Sequence, residues 1–120
     1  MSRSTRAEQA QWVQDILTRI VWTRDALAGV DYEEFATDHT KAGAVSYFLL
    51  VIGEAANRLG DAAARLMPDQ DWARIVGFRN VAAHGYDAID PRRLWMIATN
   101  LDGLERDCEL ALQKLVHHRD

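Results

Sequence analysis

The sequence has few of the residues that cross-link or interrupt a protein chain. Its 120 residues include one cysteine and two prolines. The single cysteine, Cys108, cannot form a disulfide within the chain. No stretch approaches the roughly 18 uncharged apolar residues of a membrane-spanning helix, because the most apolar segment, residues 45–56, is short and contains Glu54. Together with the absence of a basic and apolar leader, these features predict a soluble, cytoplasmic protein with no membrane contact.

Metal-binding patterns are also missing from the sequence. A di-metal site in a helical bundle would use Glu-x-x-His pairs, and the sequence contains none. A metal-dependent nuclease would instead need clustered carboxylates. We therefore expect neither a metal ion nor another cofactor.

Positive charge is scarce for a protein that binds nucleic acid. The formal net charge is -4, whereas most such proteins concentrate positive charge to neutralise phosphates. The basic residues are nevertheless almost all arginine, the side chain suited to bidentate phosphate contacts. Because a GC-rich genome would also favour arginine, composition leaves RNA binding open.

The first half of the sequence has a clear helical pattern, with apolar residues recurring three and four positions apart. A capping-box pattern at Thr5 predicts a first helix that ends before Gly29. Residues 31–37 are predicted to be a connector. A second helix is expected over residues 38–59, and Gly53 inside it indicates close approach of a neighbouring helix, unless this glycine is merely tolerated.

Two further helices are predicted in the second half. Asp69 or Asp71 can cap a third helix that ends near Ala83 or His84. Asp90, followed by proline at the first helical position, opens a last helix that continues to about residue 115. Four helices joined by short connections predict one all-α domain over residues 1–120, an antiparallel four-helix-type bundle whose modest core would benefit from forming a homodimer.

The end of the third helix carries an unusual set of polar groups. Residues 78–86 place an arginine, an amide, an imidazole and a phenol close together. Arg79 falls on the face where Trp72 and Ile75 predict core residues. A guanidinium in that position must pair with a carboxylate such as Glu54, extend to solvent, or open onto a groove.

The spacing of these groups suggests a site built from two chains. Asn80 and His84 are four residues apart, so on a helix the amide could orient the imidazole ring. Arg79 and His84 are five residues apart, about 140° around an ideal helix, so one straight helix cannot aim both at one atom. In a two-fold dimer with the third helices facing each other, both pairs of side chains would line one groove.

Two arginines follow the motif at the start of the last helix. Arg92 and Arg93 lie in the first helical turn, where cations oppose the helix dipole. Exposed backbone donors and these two side chains could form an anion site for an RNA phosphate, although chance also explains them. Cleavage of RNA without metal uses the ribose 2′-hydroxyl, a group that moves protons and a cation for the phosphate, and histidine and arginine supply the last two.

Arg79, Asn80, His84 and Tyr86 reproduce the R-N-x3-H-x-Y pattern of HEPN domains, and the sequence resembles the HepT-type toxins of that family. The flanking residues resemble the same subfamily: residues 52–56, Trp72, Asp90, Leu94 and Trp95. The likeness covers roughly residues 40 to 100.

The resemblance implies a prokaryotic, homodimeric bundle with the HEPN fold that cuts RNA without metal, as the toxin of a type II/VII-like toxin–antitoxin pair. Arg79 would stabilise the phosphate, His84 would transfer protons and Asn80 would orient the site. A nucleotidyltransferase antitoxin would add AMP to Tyr86 and so block RNA by occupancy and repulsion. Glu54 would either pair with a site arginine or remain a solvated glutamate.

Two other interpretations remain compatible with the sequence. The chain could be a catalytically silent helical partner that scaffolds a nucleotidyltransferase and uses the same groove for a nucleotide. It could also be a structural dimerisation bundle in which the polar cluster is internally satisfied. The first would retain partner binding without RNA cleavage, and the second would show only a loss of stability when Arg79 is replaced.

Overall fold

The computed structural model describes residues 3–117, except for the side chain of Tyr86. Within this range the chain forms helices and no strand, which confirms the all-α prediction. The α-helices are α1 (Arg6–Leu27), α2 (Tyr32–Thr37), α3 (His39–Leu59), α4 (Asp61–Leu66), α5 (Trp72–Ala82), α6 (Pro91–Ala98) and α7 (Asp102–His117). A short 3-10 helix, Tyr86–Ala88, lies between α5 and α6. None of these helices is both long and apolar enough to cross a bilayer.

The predicted start of α1 and end of α3 are confirmed. The Thr5 hydroxyl accepts a hydrogen bond from the Glu8 amide at 3.0 Å, and the Glu8 carboxylate accepts one from the Thr5 amide at 2.8 Å. This reciprocal pair satisfies two amides that have no partner inside the helix. Helix α3 ends at Gly60, whose φ of +56° suits glycine because it has no Cβ.

The prediction that residues 31–37 form a connector is wrong, because they contain α2. Asp31 caps this helix by accepting a hydrogen bond from the Glu34 amide at 2.9 Å. Glu33 and Glu34 lie in the first turn, where negative charge favours a helix N-terminus. Phe35 is fully buried, so the short helix is stabilised by contact with the core.

The prediction of one uninterrupted last helix is also wrong. Helix α6 ends where Thr99 and Asn100 turn their side chains back onto the preceding turn. The Thr99 hydroxyl donates to the Trp95 carbonyl at 2.7 Å, and the Asn100 amide donates to the Met96 carbonyl at 2.6 Å. These bonds compete with continuation of the helix. Helix α7 starts anew after Leu101, whose carbonyl accepts from the Glu105 amide at 2.9 Å.

Helix α3 lies at the centre of the bundle, with α1 and α5 packed against it, and α7 packs on α1. The core is formed by aliphatic and aromatic side chains from these helices and from α2. Its fully buried members include Val13, Ile16, Ile20, Phe35, Val45 and Cys108.

The close approach predicted at Gly53 is confirmed. A Cβ atom at position 53 would lie 2.9 Å from the Cβ of Arg79 and 3.1 Å from the carbonyl oxygen of Ile75. Because only glycine leaves this space free, α5 can lie directly against α3. This close packing places the backbone and Cβ of Arg79 in contact with α3 at Gly53.

Candidate active site

Helix α5, which carries the motif, is fixed at its start by side-chain hydrogen bonds. Asp71 accepts from the Arg74 amide at 3.2 Å, and the indole of Trp72 donates to the Met67 carbonyl at 2.8 Å. Of the two predicted caps, Asp71 is therefore the one used. The same hydrogen bond joins the start of α5 to Met67, which follows the end of α4.

The chain at the C-terminal end of α5 is wound more tightly than an α-helix. The His84 amide donates to the Val81 carbonyl at 3.2 Å, and the Gly85 amide donates to the Ala82 carbonyl at 3.0 Å. These bonds span three residues, as in a 3-10 helix, instead of the four of an α-helix. Gly85 then adopts a φ of +97°, a left-handed conformation that turns the chain toward Tyr86.

Arg79 forms an ion pair with Glu54 across the α3–α5 contact, through its Nε atom. The side chains are 32% and 41% exposed, so both groups remain accessible from solvent. Of the three arrangements predicted for Arg79, the structure shows pairing with a carboxylate. Glu54 is therefore the partner of a site arginine and not an isolated solvated glutamate. The guanidinium is held on one side and open on the other, an arrangement that can receive a phosphate.

His84 and Asn80 are both exposed, and no hydrogen bond joins them within the described part of the chain. The tightened end does not bring His84 round to Arg79. A residue in a 3-10 turn advances about 120°, compared with about 100° in an α-helix, so the two side chains diverge slightly more than the ideal helix predicts. From this geometry we expect the cation and the imidazole of one chain to project from different sides of the helix end.

Tyr86 begins the 3-10 helix that packs against both α3 and α5. Its backbone therefore follows directly after His84 and Gly85 and leads toward α6. The proposed modification of Tyr86 concerns a phenol that lies outside the described atoms.

Arg92 and Arg93 are exposed in the first turn of α6, as the sequence predicts. Asp90 caps this helix by accepting from the Arg92 amide at 3.1 Å. The guanidinium carbon of Arg92 lies 4.1 Å from the centre of the Tyr32 ring, a cation–π contact that limits its movement.

A groove of about 690 Å³, which was not predicted from the sequence, lies between α5 and α6 and reaches the start of α7. Its walls carry apolar side chains, among them Ile75, Phe78, Met96, Ile97 and Leu101, and three arginines: Arg74, Arg92 and Arg93. The amphipathic pattern of α6 indicates that this helix has an apolar face, but it does not indicate that this face lines a groove. The position of α6 relative to α5 depends on the break before α7, and the sequence pattern did not reveal that break.

A family model described as "Ribonuclease HepT-like" matches residues 16–111 of the chain, which include α5, the motif and α6. The chain belongs to the HepT-like ribonuclease family. The resemblance identified from Arg79, Asn80, His84 and Tyr86 is thereby confirmed at the level of the family.

Individual relatives extend the likeness to archaea and bacteria. A protein of Methanocaldococcus jannaschii whose name designates an RNase is 35% identical over 78 residues, which cover 65% of this chain and 68% of the relative. A Thermococcus cleftensis protein named as a ribonuclease HepT is 29% identical over 84 residues, 70% of this chain and 76% of the relative. A Caldanaerobacter subterraneus protein, again named as an RNase, is 26% identical over 104 residues, 86% of this chain and 93% of the relative. No solved structure shows significant similarity to the chain.

Proposed function

We propose that this HepT-like protein is a metal-independent endoribonuclease that acts as a homodimer and is the toxin of a toxin–antitoxin pair in the prokaryotic cytoplasm. One observation carries the proposal: an arginine held by Glu54 and an exposed histidine occupy the same helix end in a member of a ribonuclease family. A fixed cation and a group that can accept and donate a proton are what phosphodiester cleavage without metal requires.

The proposed reaction is an internal transfer at phosphorus. The ribose 2′-oxygen attacks the adjacent phosphorus, its proton passes to a base, and the 5′-oxygen of the next nucleotide leaves after receiving a proton. His84 is the group that moves these protons. Arg79 neutralises the charge that develops on the non-bridging phosphate oxygens, and Asn80 orients the site.

A second copy of the chain supplies the geometry that one copy lacks. On an ideal helix the two positions lie about 140° apart, so Arg79 and His84 of one chain are not expected to converge on a single phosphate. If two α5 helices face each other across a two-fold axis, Arg79 of one copy and His84 of the other line the same groove. The dimer interface would then contain the accessible face of α5 that carries Asn80.

Control of the activity follows from the position of Tyr86, two residues after His84. We propose that a nucleotidyltransferase antitoxin transfers AMP from ATP to the Tyr86 hydroxyl and that pyrophosphate leaves. The added group places a bulky anion beside the proposed phosphate site. Repulsion and occupancy then exclude RNA phosphate.

The experiment is RNA cleavage by purified protein in excess EDTA. Wild type should cleave, and His84→Ala should lose at least about 100-fold in rate, the usual contribution of a general acid or base. His117→Ala is the matched control, because His117 is also exposed but lies at the end of α7. Equal rates for the two variants would refute the role of His84, and a wild type without cleavage would favour the silent scaffold for a nucleotidyltransferase.

A further inference from the structure

Residues that line the groove between α5 and α6 flank the motif in the sequence on both sides. Phe78, which lines the groove, is the residue immediately before Arg79. On the other side of the motif, Asp90, Arg92 and Arg93 line it as well. The segment that carries His84 and Tyr86 is therefore bounded in sequence by groove residues, and we expect a strand bound at the motif to extend into the groove.

The groove combines an apolar interior with a cationic rim. Ile75, Phe78, Ile97 and Leu101 supply apolar surface that is partly or almost fully buried, and Met96 lies at the mouth with 59% of its surface exposed. A flexible thioether at an entrance adapts readily to flat ligands.

The rim contains more arginine than free carboxylate. Arg74, Arg92 and Arg93 are exposed along it. The two aspartates nearby, Asp71 and Asp90, accept hydrogen bonds from the amides that begin α5 and α6. Their charge is therefore partly offset by the helix N-termini, whereas the guanidinium groups of Arg74 and Arg93 remain available to an anion and that of Arg92 lies over the Tyr32 ring. The rim of the groove is therefore locally positive, although the whole chain has a net charge of -4.

We propose that this groove is an RNA subsite, which takes an unstacked base of a single-stranded substrate into its apolar interior and the flanking phosphates onto its arginines. The volume of about 690 Å³ falls in the range of about 300–1,000 Å³ typical of small-ligand pockets and leaves room for a base with its ribose. Proteins recognise single-stranded RNA by receiving splayed bases on aromatic or arginine side chains, and Phe78 and Arg74 are such groups. This proposal rests on the proposed ribonuclease function, and it specifies the surface on which the RNA substrate is held.

The test measures binding separately from cleavage. The probe is a short, fluorescently labelled 2′-O-methyl oligoribonucleotide, which has no free 2′-hydroxyl and so cannot be cut. Arg74→Glu and Arg93→Glu should each weaken binding by about 10-fold or more, since each reverses a phosphate contact. Met96→Glu should also weaken binding, because it places a negative charge at the mouth of the groove.

Arg65→Glu is the matched control, because Arg65 is exposed on α4 and does not line the groove. It should bind within about twofold of wild type. A second readout uses the same oligonucleotide with one 4-thiouridine, whose crosslink to the wild-type protein should map to peptides that contain Phe78 or Met96. Unchanged circular dichroism would show that every variant is folded.

The outcomes separate this proposal from the one on which it rests. If wild type cleaves RNA but the groove variants bind the probe as well as Arg65→Glu, the subsite is refuted and the ribonuclease stands. If wild type neither binds the probe nor cleaves RNA, both fail. Variants that become monomeric in light scattering, or that lose only a nucleotidyltransferase partner, would assign the groove to a protein and overturn the proposal.

Discussion

Gly53 of α3 and Arg79 of α5 lie so close that a Cβ atom at position 53 would be 2.9 Å from the Cβ of Arg79. The contact makes the position of the proposed catalytic cation depend on the absence of a side chain one helix away. It also explains why a glycine occupies the middle of a long helix, where it costs about 1 kcal/mol relative to alanine.

Gly53→Ala should therefore destabilise the protein by about 1–3 kcal/mol, because overpacking against the α5 backbone exceeds the gain in helix propensity. RNA cleavage should fall as well, since α5 must move away from Glu54. Gly103→Ala is the control, as the only neighbour of the added Cβ would be the end of the flexible Gln70 side chain at 3.9 Å. Urea denaturation measures the free energy of unfolding of the two variants. Equal stability of Gly53→Ala and Gly103→Ala would contradict the packing argument.

Glu54→Gln should leave the free energy of unfolding within about 1 kcal/mol of wild type, because the Arg79–Glu54 pair is partly exposed. It should nevertheless slow RNA cleavage, since Arg79 loses the charge that holds its guanidinium. Arg79→Ala, which removes the cation itself, should slow the reaction further.

A control for that comparison is the ion pair between α1 and α7, where Arg24 contacts Asp102 and Glu105, each at 2.5 Å. Arg24→Ala breaks a similar surface interaction away from the motif and should leave the cleavage rate unchanged. Equal rates for wild type and Glu54→Gln would show that Glu54 does not position the arginine.

Tyr86→Phe should separate modification from catalysis. Co-production with a nucleotidyltransferase of the proposed antitoxin type should add the mass of one or more AMP groups to wild type and none to the variant. The variant should remain active against RNA in the presence of the antitoxin. An AMP adduct on Tyr86→Phe, located by peptide mass spectrometry, would place the acceptor elsewhere.

Cys108 should make stability fall at alkaline pH. Burial, reinforced by the nearby Asp107 and Glu109 carboxylates, raises the pKa of this thiol from 9.0 to about 12. The unfolded chain therefore loses the thiol proton first as pH rises, so this contribution to stability is complete below about pH 9 and declines between about pH 9 and 12.

Denaturation of wild type and Cys108→Ala at about pH 8 and pH 10.5 measures the effect. The variant loses packing at both pH values, but its stability should fall less between them. A thiol reagent should label native wild type only as fast as it unfolds. Rapid labelling of the folded protein would contradict the burial of Cys108.

Local signals predicted much of this structure. Thr5 and Glu8 gave the start of α1, and Arg79, Asn80, His84 and Tyr86 indicated the family without any coordinates. Glu54 was identified as a possible partner of Arg79, but the choice between pairing and solvation depends on how closely α3 and α5 pack. That distance is a tertiary property, for which Gly53 was only an indirect signal.

The helix in residues 31–37 and the break between α6 and α7 were not predicted from the sequence. Each depends on a balance between weak interactions that favour the helix and weak interactions that oppose it. Residues 31–37 have an N-cap but span fewer than two helical turns, so their helix depends on the burial of Phe35. The break at Thr99 and Asn100 contains neither glycine nor proline. Its cause is a pair of side-chain hydrogen bonds to carbonyl groups, and the same residues are also compatible with a continuous helix.

That break divides the C-terminal region into two units with separate neighbours. Helix α7 packs on α1, whereas α6 packs on α2 and α3. A single long helix would have tied the orientation of Arg92 and Arg93 to the packing of the bundle. With the break, substitutions at the exposed Thr99 and Asn100 can alter the tilt of α6 while α7 keeps its contact with α1, so the wall of the groove and the core of the bundle can evolve separately.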